Sequence, residues 1–135
     1  VRLSEEQQEF TTDIACLIQF ANSIGVELTF GEAYRTNSQV LLNYFGFKVV
    51  RDGNSLLLVK RKRTSWTLRS KHPNRLAVDF NFFINGNLYY KHPLINQIGR
   101  YWCDLNSLNE WGGNWLDRNG KQKDTPHFQR NRTRI

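Results

Sequence analysis

Methionine is absent from these 135 residues, and cysteine, proline and histidine are scarce, with two, three and three copies. The two cysteines, Cys16 and Cys103, stand far apart and form no C-x-x-C pair. Each is therefore read as a buried free thiol, and a disulfide has no support. No apolar run approaches the roughly 20 residues that a membrane-spanning helix needs. The longest, Leu56–Val59 and Phe80–Ile84, have the length of strands. Internal repeats, linkers and low-complexity tracts are missing as well. Without a methionine the chain omits its initiator, so the lack of a leader sequence says little about export. Negative charge is also in short supply: nineteen basic residues face twelve acidic ones, a net +7. That balance is compatible with an acidic partner, whether nucleic acid, anionic lipid or an anionic envelope polymer, and charge alone does not choose among them.

What is present describes a folded chain. The 39% hydrophobic and 13% aromatic content argues against disorder, and the length suits one domain over residues 1–135. Ser4 and Gln7 read as a capping box opening a helix, with Phe10, Ile14, Leu17, Ile18 and Ala21 as its apolar stripe and Gly25 as its stop. Val26, Leu28 and Phe30 alternate as a strand. Thr36 and Gln39 form a second capping box, for a short helix that Gly46 ends. "FKVVRDGNSLLLVKRKR" reads as a hairpin turning at Asp52-Gly53. In "LAVDFNFFI", Leu76, Val78, Phe80, Phe82 and Ile84 share one face while Ala77, Asp79 and Asn81 share the other. Pro93 starts a helix that turns Leu94, Ile98, Tyr101, Trp102 and Leu105 inward. The sum is an α+β fold: one compact domain with a small, mostly antiparallel sheet and flanking helices.

Asp79 is the first residue that needs explaining. A mid-strand carboxylate is either open to water or, if buried, paired or bound to a metal. His72 lies seven positions earlier, an offset that a straight strand would place on the opposite face. Pro73 and Asn74 break that regularity, so His72 can curl back from a turn. A second cluster, "DTPHFQ", sets Asp124 three residues before His127, downstream of Gly112-Gly113 and Trp115. Alone, a D-x-x-H is a weak motif and reads as structural. His92, with no carboxylate beside it, reads as surface or structural. Together the two clusters offer two imidazoles, one carboxylate and a spare carboxylate. That set suits Zn²⁺ with an open fourth position and metal-assisted hydrolysis.

These segments resemble a known family. "SKHPNRLAVDF" is similar to the S-x-H-x-x-G-x-A-x-D signature of the zinc D,D-peptidases. That family includes D-alanyl-D-alanine carboxypeptidases, VanX-type dipeptidases and the L-alanyl-D-glutamate peptidases used as phage endolysins. "EWGGNW" with "DTPHFQ" resembles the later segment, where a catalytic acid stands three residues before the last zinc histidine. "FGEAYRTNSQ" resembles the upstream arginine element. The resemblance implies a D,D-peptidase-like (Hedgehog-like) fold and one Zn²⁺ held by His72, Asp79 and His127. It implies that Asp124 is the general base, and an aspartate there resembles the phage-type group. Arg35 is implied to bind the scissile carbonyl or a substrate carboxylate, and Ser70 to be a supporting or substrate-contacting hydroxyl. The family's glycine position holds Arg75, which implies a turn after His72 that does not require a conformation reserved for glycine. No motif covers residues 46–69.

The function expected on this basis is hydrolysis of the stem peptide of bacterial peptidoglycan by a monomeric phage or prophage endolysin. It would be made in the host cytoplasm and act at the wall, cutting L-Ala–D-Glu, with D-Ala-D-Ala carboxypeptidase activity as the alternative. Basic residues would aid adsorption to an anionic envelope. A different class remains open: a nucleic-acid-binding domain using Lys60, Arg61, Lys62, Arg63, Trp66 and the Arg-rich end. A metal-binding scaffold without activity is the third reading.

Overall fold

The computed structural model describes residues 2–65 and 71–132. Helix α1 (Leu3–Ser23) leads to strand β1 (Glu27–Phe30), then to helix α2 (Asn37–Phe45) and the strands β2 (Phe47–Asp52) and β3 (Ser55–Lys60). Strand β4 (Ala77–Ile84) and the short β5 (Asn87–Tyr89) precede helix α3 (Pro93–Leu105). Strands β6 (Asn109–Trp111) and β7 (His127–Arg130) follow. Strands β1, β4, β7 and β6 lie side by side in that order, β5 pairs with the far end of β4, and every pairing is antiparallel. The α+β class read from the sequence is the observed one.

The apolar face of β4 organises the core. Val78, Phe80 and Phe82 meet Phe10, Leu17 and Ala21 of α1, Ile95, Ile98 and Trp102 of α3, and Trp111 and Phe128 of the neighbouring strands. Period-2 alternation sends every second β4 side chain into this layer, while the 3.6-residue repeat brings one stripe of each helix onto it. Trp102 lies flush against the sheet because its indole N–H donates to the carbonyls of Glu110 and Gln129, each at 3.2 Å. The other sheet face, away from α1 and α3, carries Ala77, Asp79 and Asn81.

Local signals hold with adjustments. Helix α1 begins earlier than Ser4: Arg2 is its cap, and the Glu5 carboxylate accepts from the Arg2 backbone N–H at 3.2 Å. Thr36 caps α2 by accepting from the Gln39 N–H, but the Gln39 amide turns to Asn43 instead of closing a box. Gly46 ends that helix at φ 79°, in the left-handed region. In the hairpin Asp52 pairs with Ser55, so Gly53 and Asn54 are the turn's central residues. Both cysteines are free but only half-buried, against the expectation of full burial. His92 caps α3, its Nδ1 accepting from the Leu94 N–H at 3.1 Å.

The basic end is the largest departure from the sequence reading. Arg130 is 1% exposed, far from a solvated tail residue. Its guanidinium donates to Asn109 at 2.6 Å and to Glu9 at 3.0 Å, and it pairs with Asp13. Arg132 pairs with Glu6 at 2.7 Å. These ion pairs bolt β7 to α1 across the core edge. A buried charge that loses its partner costs about 3–5 kcal/mol, whereas an exposed pair contributes under about 1 kcal/mol. Asp13→Ala is therefore expected to lower stability by about 3 kcal/mol in urea unfolding, and Glu9→Ala, at the more exposed partner, by under about 1 kcal/mol.

Candidate metal centre

The site begins with a strand pairing. The Asp79 N–H donates to the Glu32 carbonyl and the Asp79 carbonyl accepts from the Gly31 N–H, both at 2.7 Å. Both backbone polar groups of Asp79 thus point towards the β1 side. Facing β7, Asp79 is then a non-hydrogen-bonded pair with His127, the register in which opposed side chains come closest. The result is a 3.1 Å contact between Asp79 Oδ1 and His127 Nδ1 on the sheet face opposite the core.

His72 joins from a turn. Residues His72–Asn74 form a 3₁₀ turn closed by Arg75 N–H to His72 O at 3.0 Å and Leu76 N–H to Lys71 O at 3.2 Å. The Gln7 side chain of α1 reaches over to donate to the Asn74 carbonyl at 2.8 Å. The buried His72 ring sets Nε2 3.6 Å from Asp79 Oδ1 and packs edge-on against His127. Arg75 closes the turn at φ 56° and ψ 35°, the left-handed conformation that favours glycine. The turn thus keeps a glycine-favouring shape while holding another residue, and the Arg75 guanidinium lies over the Tyr34 ring at 4.6 Å. Left-handed backbone costs an L-residue about 1–2 kcal/mol, and a cation–π contact returns part of that.

The ligand atoms of His72, Asp79 and His127 all lie within 4.8 Å of one another. Three ligands at metal bond lengths of about 2.0–2.1 Å in tetrahedral array sit about 3.3 Å apart. The 3.1 and 3.6 Å separations bracket that spacing, so the donor set fits a single metal ion.

A second carboxylate stands beside this group. Asp124 belongs to the loop leading into β7, where its carbonyl accepts from the His127 N–H and its N–H donates to Gly112 O, both at 3.2 Å. Gly112 makes that approach feasible: a Cβ there would meet Asp124 O at 2.2 Å and the His127 Cβ at 3.1 Å. The Trp111 indole donates to Thr125 O at 2.8 Å and fastens the same loop. Burial pushes the Asp124 carboxyl upward, opposed by the His127 charge and reinforced by the Asp79 charge. Burial acts in the same sense on Asp79, but the hydrogen bond from His127 and the nearby His72 ring hold it well below the usual carboxylate range. Two neighbouring carboxyls are thereby pushed apart, one held ionised and one made more basic, which is how acid–base roles are divided between like groups.

Arg35 approaches from the loop after β1. Its charge is close enough for Asp79 and Asp124 to act on it, and Glu32 grips it with two 2.8 Å hydrogen bonds. Sequence reading missed Glu32, although an E-x-x-R spacing that places an acid one turn from the arginine was its available signal. Also missed was the support of His127. Glu110 is acceptor-only and held ionised, first by the Asn131 amide. Asn131 donates to it at 2.8 Å and so presents its own oxygen to the Gln129 amide, also at 2.8 Å. Gln129 must then present its oxygen to His127 Nε2, 2.8 Å away. The chain fixes Nε2 as a donor to Gln129, so that Nδ1, which donates to Asp79 in the metal-free protein, is the nitrogen left to a metal. Trp115 adds to the arrangement, donating to Glu110 at 2.5 Å and packing its ring against His127.

Ser70 and Trp66 lie outside the described residues. Of the basic run, Arg61 donates to Asn43 at 2.5 Å and Arg63 lies 4.0 Å over the Tyr44 ring, while Lys60 and Lys62 face solvent. Gln129→Leu is expected to release the His127 tautomer. In ¹⁵N-detected NMR of the metal-free protein the His127 Nε2–H signature should weaken, and metal affinity should fall about 10–100-fold.

Comparison with known proteins bears on this geometry. The family model described as D-alanyl-D-alanine carboxypeptidase matches residues 63–130, half of the chain, a span that includes His72, Asp79, Asp124 and His127. Among solved structures, the L-Ala D-Glu endopeptidase ChiX of Serratia marcescens superposes with a TM-score of 0.55 at 26% sequence identity. That match covers 96% of this chain and 86% of the other. No curated protein sequence matches. The chain is a member of the D-alanyl-D-alanine carboxypeptidase family of peptidases.

Proposed function

We propose that this chain is a zinc endopeptidase that hydrolyses the stem peptide of bacterial peptidoglycan at the L-Ala–D-Glu bond, as a phage-type lysis enzyme acting at the wall. The observation that carries this reading is the His72–Asp79–His127 cluster with the raised carboxyl of Asp124 beside it. The endopeptidase relative supports the choice of bond. The family description supports a second reading, in which the terminal D-Ala of a D-Ala-D-Ala stem is removed instead.

In this reading His72, Asp79 and His127 hold one Zn²⁺, with two nitrogens and one oxygen as the protein's share of a tetrahedral site. When bound, zinc supplies a Lewis acid and brings the pKa of water down towards neutrality. The chain's own residues do the rest. Asp124, made basic by burial, accepts the proton of the attacking water and returns it to the departing amine. Arg35, held in one orientation by Glu32, offers its remaining N–H groups to the negative charge that develops on the scissile carbonyl oxygen.

Digestion of purified peptidoglycan followed by mass spectrometry of the fragments tests the bond. New D-Glu amino termini are expected, and loss of D-Ala alone would establish the second reading in its place. Asp124→Asn should lower kcat about 10²–10⁴-fold with the metal content unchanged.

A further inference from the structure

The β2–β3 hairpin takes no part in the site, and no motif of the sequence accounts for it. It forms a sheet of its own, separate from the five-stranded one, and rests on α2. Its register puts Val49 opposite Leu58, Arg51 opposite Leu56, and Phe47 opposite Lys60. Directly opposed residues share a face, so Val49, Leu56 and Leu58 form one aliphatic strip with Arg51 and Lys60 towards its two ends. The three aliphatic residues are 52%, 74% and 61% exposed. Leu57 on the other face is exposed too, as are Leu41 and Phe45 of the supporting helix. Residues 47–63 hold six basic side chains against one acidic.

An exposed aliphatic strip flanked by cations narrows the partner by chemistry. A nucleic acid offers charge to the cations but nothing to leucine, and strands are read through stacked aromatic rings. A second copy of the chain would cover leucine with leucine but leave the flanking Arg51 and Lys60 without an opposite charge. An anionic lipid surface satisfies both features. Aliphatic side chains enter the boundary between headgroups and acyl chains, while Arg and Lys extend along their own stems to the phosphates. We infer that the β2–β3 hairpin is a docking element for anionic phospholipid bilayers, holding the protein on the membrane surface. This inference stands apart from the peptidase reading, because the hairpin shares no residue with the metal centre.

Flotation of the full chain with phosphatidylglycerol-containing vesicles, set against pure phosphatidylcholine vesicles, is the test. The chain should float with the first and not the second. Leu56→Ser combined with Leu58→Ser should weaken binding by roughly tenfold or more. Arg51→Gln should weaken it about fivefold. Zinc binding should be unchanged in all of these variants, which also reports that they fold. The inference is overturned if the chain ignores phosphatidylglycerol vesicles. It is equally overturned if the serine pair leaves vesicle binding intact while the cation change abolishes binding to vesicles and to an oligonucleotide alike. Sedimentation of the chain as a dimer that the serine pair dissociates would assign the strip to a second copy.

Discussion

One cross-strand pair, Asp79 with His127, is what the rest of the molecule is arranged to hold. The non-hydrogen-bonded register of β4 and β7 brings a carboxylate and an imidazole together on a sheet face, and slipping either strand by one residue would send one of them into the core. The surrounding structure fixes that register. Phe128 and Val78, opposite each other, lock the two strands through the apolar layer, and Arg130 ties β7 to α1 through Asp13 and Glu9. The core and the candidate metal centre are thus two faces of the same strands, and the packing that stabilises one positions the His72–Asp79–His127 group.

The electrostatics follow from that placement. A chain with a net charge of +7 concentrates carboxylates at its centre, and each has a distinct constraint. Asp79 lies between two histidines, Asp124 is raised by burial, Glu32 is committed to Arg35, and Glu110 anchors the amides that orient His127. None of these acids is interchangeable with another, because each gains its character from a different partner. Of the nineteen cations, six fall within residues 47–63, while Arg35 stands at the site itself.

Much of this was legible in the sequence, and the limits have physical causes. The long elements were readable because many residues repeat one period: the stripe of α1, the alternation of β4, and the hairpin around Gly53. The strands β5, β6 and β7 were not, since three or four residues carry too little periodicity, and their state is set by the strand beside them. The odd offset between His72 and Asp79 pointed to a turn, and the structure places His72 in a 3₁₀ turn. That Asp79 would face His127 depends on a strand pairing that no local pattern encodes. Arg130 was misread for a related reason: in sequence it belongs to a basic run, and only the fold brings acids from α1 beside it. Glu110, Gln129 and Asn131 act through side-chain amides whose roles appear only when their partners are fixed in space.

The central claim is that this pairing builds one metal centre. Titration of zinc into the metal-free protein, followed by calorimetry or by competition with a chromophoric chelator, tests it most directly. The account predicts one equivalent of tightly bound zinc per chain, with binding lost in His127→Ala and in Asp79→Ala while both variants remain folded. Absence of stoichiometric binding, or binding that survives both substitutions, would contradict it.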